Sequence, residues 1–293
     1  MANDINRGTT GIALPQEVAQ EVWAHTIGAS FFMRAARQLR MPATGVSINT
    51  ITGDPVADWV AESDAKPVSA STFSKKTLVP YKLAVIEPFS NEFRRDLPAL
   101  YEELVRRLPD VLGKKFDETI MGTTAPGTGF DVLGSATPVG IAGKTFKGMV
   151  AAMQTIAANG GLMDKIGLSA QGMAMVMGAT DENGRPLFVA DASEGTVGRI
   201  LGAEVMTSKA LYKAGTPNIL GIAGDFTDAV YGTVEGVKID VSDQATLTVG
   251  SGQSATTLNL WQNNMFAVRA EIEVAFAARA AGDFAILTST TQS

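Results

Sequence analysis

Few residues of this chain have side chains that usually carry out enzymatic chemistry. The 293 residues include no cysteine and one histidine, His25. Thiolate nucleophiles, thiolate metal ligands and histidine-rich metal sites are therefore excluded. His25 is the single candidate base for a Ser-His-Asp triad. It lies one position off the apolar stripe of its predicted helix, which favours a surface or boundary residue over a catalytic one.

Paired carboxylates are the other candidates for acid–base catalysis. Asp117/Glu118 and Glu271/Glu273 are two close pairs on segments with a strong helix or strand pattern. Glu271 and Glu273 share one face of a predicted strand, but small apolar residues alternate around them. That alternation indicates a packed sheet rather than an open cleft. A soluble enzyme is therefore disfavoured, and we predict neither a cofactor nor a metal site.

One short segment resembles the end of a phosphate-binding loop. Gly143-Lys144-Thr145 has the required final residues, but the glycine needed five positions earlier is replaced by Pro138. The loop cannot form as a phosphate cradle requires. Because no aromatic cluster or other glycine loop marks a pocket, a ligand-binding module is also disfavoured.

The composition restricts the class of protein further. The net charge is −6, with 24 basic and 30 acidic residues, which disfavours a protein that reads nucleic acid through its phosphates. The uncharged run at 148–163 is too short and polar to cross a bilayer, and residues 1–11 lack the apolar core of a signal peptide. Hydrophobic residues reach 45% while charged residues make up 18%. This balance indicates a chain whose surface is largely covered by other molecules.

The first half of the chain predicts an arm, a helix and an unusual hairpin. Residues 1–14 are polar and lack any period, whereas 15–40 have a helical period. Residues 46–87 predict two long strands joined by a charged turn at 62–67. An isolated hairpin is marginally stable in water, so this one must pack on its own chain or on another copy.

The remaining segments predict a mixture of helices and strands. Apolar residues at helical spacing over 97–121 predict the longest helix. Residues 146–225 alternate a helical segment with short strands, and the pattern becomes strand-rich from residue 225. The stretch after Ala270 is rich in alanine, but the alternation of Ile272, Val274 and Phe276 predicts a strand.

Local patterns in a fixed order identify a family. The hairpin carries Val60-Ala61-Glu62, Ala65-Lys66-Pro67 and Thr72-Phe73-Ser74-Lys75. The predicted long helix and the loop after it carry Phe116-Asp117, Gly127-Thr128-Gly129 and Pro138-Val139-Gly140-Ile141. The rest of the chain carries Asp181-Glu182-Asn183-Gly184-Arg185-Pro186-Leu187, Leu201-Gly202-Ala203-Glu204-Val205, Gly224-Asp225-Phe226, Val268-Arg269-Ala270-Glu271 and Phe284-Ala285-Ile286-Leu287. Each pattern is weak alone. In this order and spacing they resemble the major capsid proteins of tailed double-stranded-DNA bacteriophages, which have the Hong-Kong-97-like fold.

The resemblance implies an α+β fold with four parts. An N-terminal arm and helix would span 1–45, and an extended β-hairpin loop 46–88. A peripheral domain with a long spine helix would combine 89–145 and 226–278. An axial domain would combine 146–225 and 279–293.

The resemblance also implies function, partners and location. The chain would assemble with itself into the pentamers and hexamers of an icosahedral head that encloses double-stranded DNA without sequence-specific binding. It begins directly with its arm, so scaffolding would come from a separate protein, or the capsid needs none. The resemblance further implies a portal and, in some heads, a decoration protein as partners. The product would be the virion capsid, made in the bacterial host cytoplasm. An encapsulin-like cellular compartment of the same fold is the alternative.

Some members of the family join subunits covalently, and three residues fall on the positions concerned. Lys66 matches the lysine of the extended loop, Asn264 the asparagine that it attacks, and Glu271 the glutamate that acts as base. Asn264 and Glu271 are seven apart, so a regular strand would point them to opposite faces. They would then take part in different cross-links, and three subunits would meet at each cross-link. In the alternative, Lys66 makes an ordinary ion pair between subunits, and the other two are only polar positions that the fold shares.

Overall fold

A computed structural model describes residues 16–53, 57–60, 66, 68, 72–92, 97–180, 185–188, 198–250 and 255–291. The predicted arm, most of the predicted hairpin turn and residues 181–184 lie outside these ranges. The helices in the described part are α1 Gln16–Ala29, α2 Phe31–Ala35, α3 Leu97–Ile120, α4 Thr145–Ala158 and α5 Ala170–Met177. The strands there are β1 Arg37–Arg40, β2 Val46–Gly53, β3 Thr72–Leu78, β4 Tyr81–Ser90, β5 Thr137–Ala142, β6 Lys165–Leu168, β7 Arg199–Ile200, β8 Ala203–Thr207, β9 Ile219–Gly224, β10 Val230–Thr233, β11 Lys238–Ser242, β12 Thr246–Val249, β13 Thr256–Asn259, β14 Met265–Ala277 and β15 Phe284–Thr291.

The longest strand, β14, organises a five-stranded sheet. One of its edges pairs with β4, and the other pairs with β11 and then with β10, which is joined in turn by β1. Ala270, Ile272 and Val274 are buried on the inner face, while Glu271 and Glu273 lie between them on the outer face. The alternation predicted a strand despite the alanines, and this prediction is confirmed.

Helix α3 packs its apolar stripe against this sheet and against α1. The described part of the stripe is buried at Leu104, Leu108, Leu112, Phe116 and Ile120. The predicted helix is confirmed from Leu97 to Ile120. The spacing left Val111 and Leu112 as alternatives, and Leu112 is the buried one because it continues the i, i+4 row.

The predicted helix over 15–40 is interrupted at Ser30 and is wrong after Ala35. Ser30 caps α2, because its hydroxyl oxygen accepts a hydrogen bond from the Met33 N–H at 3.2 Å. Residues 37–40 then form β1, parallel to β10. The apolar spacing that suggested one long helix therefore belongs to two helices and a strand.

The predicted hairpin is shorter than the pattern suggested. Its paired strands are β2 and β3, while β4 continues into the five-stranded sheet as the partner of β14. The second predicted strand is interrupted at Val79 and Pro80, where the chain changes sheets. The base of the hairpin is fixed to its own chain by buried Leu78 and by Lys76, whose Nζ lies 2.5 Å from Asp131 Oδ2. The division into an arm, a loop and two domains stays a prediction.

A six-stranded sheet in the order β5-β15-β9-β6-β8-β7 forms the second layer, with α4 and α5 against it. The predicted helix and short strands in 146–225 are confirmed as α4, β6, β8 and β9, whereas α5 was missed. Helix and sheet occur together in both parts, so the α+β class is confirmed.

The buried carboxyl group of Asp117 ties α3 to α2. It accepts hydrogen bonds from the Ser30 hydroxyl at 2.5 Å and from the backbone N–H groups of Phe31 at 2.7 Å and Phe32 at 3.3 Å. Burial raises the pKa of Asp117 from 3.8 to about 6, although these hydrogen bonds act in the opposite direction. Asp117 therefore joins two helices and contributes to the pH dependence of stability.

This raised pKa predicts a pH-dependent difference between the protein and Asp117→Asn, whose side chain does not titrate. The folded chain holds the Asp117 proton more tightly than the unfolded chain, so its stabilisation is complete below pH 3.8 and is lost as the pH rises through about 6. We expect the denaturant midpoint of the protein, relative to that of Asp117→Asn, to fall over this window. Denaturant titrations at several pH values measure the difference in midpoint between the two proteins. An equal difference at both ends of this pH range would contradict the raised pKa of Asp117.

Candidate functional site

His25 and the Asp117/Glu118 pair lie in different environments of the described structure. His25 is exposed on α1, and its Nε2 lies 3.8 Å from Glu21 Oε1. Asp117 is fully buried, whereas Glu118 is exposed and its Oε1 lies 3.7 Å from Lys114 Nζ. The two neighbouring carboxylates therefore face different environments and do not act on a common substrate.

The phosphate-loop candidate has a structural role. Thr145 is buried at the start of α4, and its hydroxyl donates a hydrogen bond to the Ile141 carbonyl at 3.0 Å. In the described part of the chain, no group of three or more His, Cys, Asp or Glu side chains could hold a metal ion. No helix among the same residues is long and apolar enough to span a bilayer.

Glu271 lies in a row of charged side chains on the outer face of the five-stranded sheet. Arg269 places its Nε 3.1 Å from Glu271 Oε1 and donates through Nη2 to Asp240 Oδ2 at 2.8 Å. Further along β14, Lys82 Nζ lies 3.3 Å from Glu273 Oε1. Glu271 is 19% exposed and therefore has its carboxylate mostly covered but still reachable from outside the sheet.

Asn264 lies immediately before the first residue of β14, seven residues before Glu271. It is exposed in the turn between β13 and β14, where its φ of +53° places it in the left-handed region that asparagine tolerates better than most residues. Its side-chain Oδ1 accepts a hydrogen bond from Asn91 Nδ2 at 2.7 Å. The carboxamide is thus held in a defined orientation at the surface.

Lys66 belongs to a separate exposed region in the hairpin segment. Lys66 is exposed, as are two apolar residues of the same segment, Trp59 at 101% and Val68 at 98% of full accessibility. In the part of the chain that the structure describes, no hydrogen bond or ion pair joins Lys66 to Asn264 or Glu271. Among the described residues of one chain, Lys66 therefore has no polar contact with the other two.

The separation of Asn264 and Glu271 follows from strand geometry. Seven residues of extended chain span roughly 20 Å, and odd spacing places the two side chains on opposite faces. The structure places Glu271 on the outer face of β14 and Asn264 in the turn before it, so the alternation of a regular strand does not apply to Asn264. The sequence analysis missed Asn91, because a polar residue after a strand carries no motif of its own.

Comparisons with known proteins agree with one another. Residues 10–289 match the model of the Phage capsid family. The chain is 32% identical over 297 residues to the probable major capsid protein gp17 of Mycobacterium phage D29, covering 94% of this chain and 90% of that protein. It is 31% identical over 289 residues to the protein of the same description from Mycobacterium phage L5, covering 90% and 85%.

Solved structures agree with the fold. A structure from Microbacterium phage Oxtober96 aligns with a TM-score of 0.68 at 21% identity, covering 89% of this chain and 91% of that one. The capsid of a native GTA particle aligns with a TM-score of 0.63 at 13% identity, covering 99% and 96%. The arrangement of sheets and helices is therefore one that viral shells use.

Proposed function

Because the chain belongs to the phage capsid family and is the major capsid protein of a phage head, we propose that it assembles into pentamers and hexamers whose subunits become joined by an isopeptide bond between Lys66 and Asn264. Glu271 of another subunit serves as the base. Covalent joining of this kind makes each subunit both a reactant and a building block, without any substrate from outside the shell.

The exposed hairpin residues carry the assembly part of the proposal. Trp59 and Val68 have essentially their whole surface in contact with solvent in the single chain. Large exposed apolar side chains in one segment mark a surface that another protein covers. A neighbouring copy fits best, because a phage head contains many copies of its major capsid protein and the base of the hairpin already packs on its own chain through Leu78.

The chemistry of the joint needs only the three side chains. Glu271 accepts a proton from the Lys66 ammonium, and the neutral amine attacks the carboxamide carbon of Asn264. A tetrahedral intermediate forms, Glu271 passes its proton to the former amide nitrogen, and ammonia leaves. The attacking nitrogen gives up its extra proton to the Glu271 carboxylate, which leaves a neutral amide. One C–N bond forms and one breaks, so the products are an isopeptide bond and ammonia, and no oxidant or cofactor takes part.

The distance between Asn264 and Glu271 supports a joint built from three subunits. They lie roughly 20 Å apart along one extended chain, which is too far for one to assist the other. Each chain therefore gives its lysine to one joint, its asparagine to a second and its glutamate to a third. Rings of identical subunits with head-to-tail interfaces bring such unlike surfaces together.

The same proposal extends to the contents and partners of the head. A chain with a net charge of −6 suits a container that holds double-stranded DNA without reading its sequence, because a basic lining would bind phosphates and hinder packing. We include a separate scaffolding protein, a portal and a decoration protein as partners, and the host cytoplasm as the place of assembly.

Sedimentation followed by denaturing electrophoresis tests the proposal. We expect the expressed chain to sediment as capsomer rings or megadalton particles, and the heaviest fraction to give a ladder of multimers after boiling in SDS. Trp59 fluorescence should shift to shorter wavelength on assembly if a neighbour covers it. A chain that remains monomeric when it is produced together with its head proteins would contradict assembly, and particles that dissolve into single chains in SDS would contradict cross-linking.

A further inference from the structure

Two hydrogen bonds join Asn91 to Asn264. The Asn91 backbone N–H donates to the Asn264 backbone carbonyl oxygen at 3.0 Å. The Asn91 side-chain Nδ2 donates to the Asn264 side-chain Oδ1 at 2.7 Å. Asn91 follows the last residue of β4, and Asn264 precedes the first residue of β14, the strand with which β4 pairs. The contact is therefore positioned by the longest strand pairing of the five-stranded sheet.

The Asn91 carboxamide is oriented in an unusual way. Its Oδ1 is buried, and no donor among the described residues reaches it. A buried acceptor without a partner is unfavourable, and such groups in folded proteins call for an explanation. The hydrogen bond from Asn91 Nδ2 to Asn264 accounts for this orientation, because it is the side-chain hydrogen bond that Asn91 makes within the described part of the chain.

We propose that Asn91 is a further catalytic residue of the cross-linking reaction, stabilising the negative charge that develops on Asn264 Oδ1. This proposal rests on the proposed Lys66–Asn264 bond. As the lysine amine adds to the carboxamide carbon, the C=O double bond opens and its electron pair moves onto Oδ1. The Asn91 N–H already points at that oxygen and stabilises the charge until the C=O bond re-forms and ammonia leaves.

The distance agrees with this role. Effective oxyanion donors lie about 2.7–3.1 Å from the oxygen that becomes charged. In the free chain Asn91 Nδ2 already lies 2.7 Å from the ground-state Asn264 Oδ1, so a small movement of this oxygen during attack keeps it within reach of the donor. Both partners belong to the same chain, so each asparagine is prepared for attack in the free subunit, while the lysine and the base come from elsewhere.

The test compares the rate of cross-linking in shells made from Asn91→Ala and Asn91→Asp. Removing one oxyanion donor slows such reactions by about 100- to 1,000-fold. We expect Asn91→Ala to show this loss, and Asn91→Asp to be slower still, because its carboxylate repels the developing charge. A purely structural role predicts the opposite order, since aspartate has the shape of asparagine. The readout is the time course of SDS-resistant multimers in pulse-labelled particles.

Ser90→Ala is the matched control. Ser90 is the neighbouring residue at the end of β4, and its hydroxyl oxygen accepts a hydrogen bond from the Glu92 backbone N–H rather than contacting Asn264. Shells of this variant should form their ladder at the normal rate. Asn91→Ala shells that cross-link at the normal rate would overturn the role of Asn91 while the Lys66–Asn264 bond stands, whereas unsubstituted shells without any ladder would overturn both. If Asn91→Ala gives no particles, the cross-linking rate of Asn91→Asp shells is compared with that of unsubstituted shells. Slower cross-linking in Asn91→Asp supports the role of Asn91, and an equal rate overturns it.

Discussion

Shells made from Lys66→Arg chains are expected to form normally and to give no SDS-resistant multimers. Arginine keeps the positive charge, so an ion pair between subunits persists, but its guanidinium stays protonated and cannot attack an amide. The substitution therefore separates the covalent role of Lys66 from a merely electrostatic one. Sedimentation reports the particles, and electrophoresis after boiling in SDS reports the bond. A ladder that persists in this variant would show that another residue supplies the nucleophile.

Mixed shells extend this expectation to the arrangement of subunits. In shells containing equal amounts of Lys66→Arg and Asn264→Asp chains, no single chain carries both reacting groups. If the groups come from different subunits that mix at random, about one quarter of the joints pair an intact lysine with an intact asparagine. A chain that keeps Lys66 has lost Asn264, and a chain that keeps Asn264 has lost Lys66. Each chain can therefore form only one bond, and the ladder should reduce to dimers. Shells of either variant alone are the control, and mixed shells without dimers would contradict joining between subunits.

Replacing Asp117 by alanine is expected to lower the free energy of unfolding by about 3 kcal/mol, because it leaves buried donors without an acceptor. The groups concerned are the Ser30 hydroxyl and the N–H groups of Phe31 and Phe32. Denaturant titration of unassembled subunits measures the change. The fluorescence of Trp23 is a suitable signal, because this residue packs against the core on α1.

Asp117→Asn is the matched control for this prediction. The amide oxygen can replace Oδ2 and accept from the Phe31 N–H, and the amide N–H in place of Oδ1 can donate to the Ser30 hydroxyl oxygen, so only the Phe32 N–H loses its acceptor. We therefore expect this variant to retain most of the stability at neutral pH. If Asp117→Ala were as stable as Asp117→Asn, the carboxyl group would not be the acceptor that joins α3 to α2.

The elements predicted correctly from the sequence depend on short-range periodicity. The stripe that includes Leu104, Leu108 and Phe116 identified α3, and the alternation of Ile272 and Val274 identified β14. Both signals lie within one element, so no partner is needed to recognise them.

The elements predicted wrongly depend on distant partners. The break at Ser30 is stabilised by Asp117, 87 residues further along the chain. Strand β4 leaves the hairpin because β14 offers it ten paired positions, from Ser90 to Tyr81. Apolar spacing around Ser30 or Tyr81 contains no information about these partners.

The candidate site divides in the same way. Lys66, Asn264 and Glu271 were found through resemblance to a family, since neither their spacing nor their residue types indicate a reaction. Asn91 could be found only from the structure, because its relation to Asn264 depends on the pairing of β4 with β14.

The position of β15 determines when a new subunit becomes ready to join a shell. It lies between β5 and β9, so residues 284–291 fill a gap between strands that leave the ribosome much earlier. Until then the facing edges of β5 and β9 carry unpaired backbone groups. The six-stranded sheet therefore closes only after translation has passed residue 291. A chain interrupted before that point presents open strand edges, which favour aggregation over entry into the lattice.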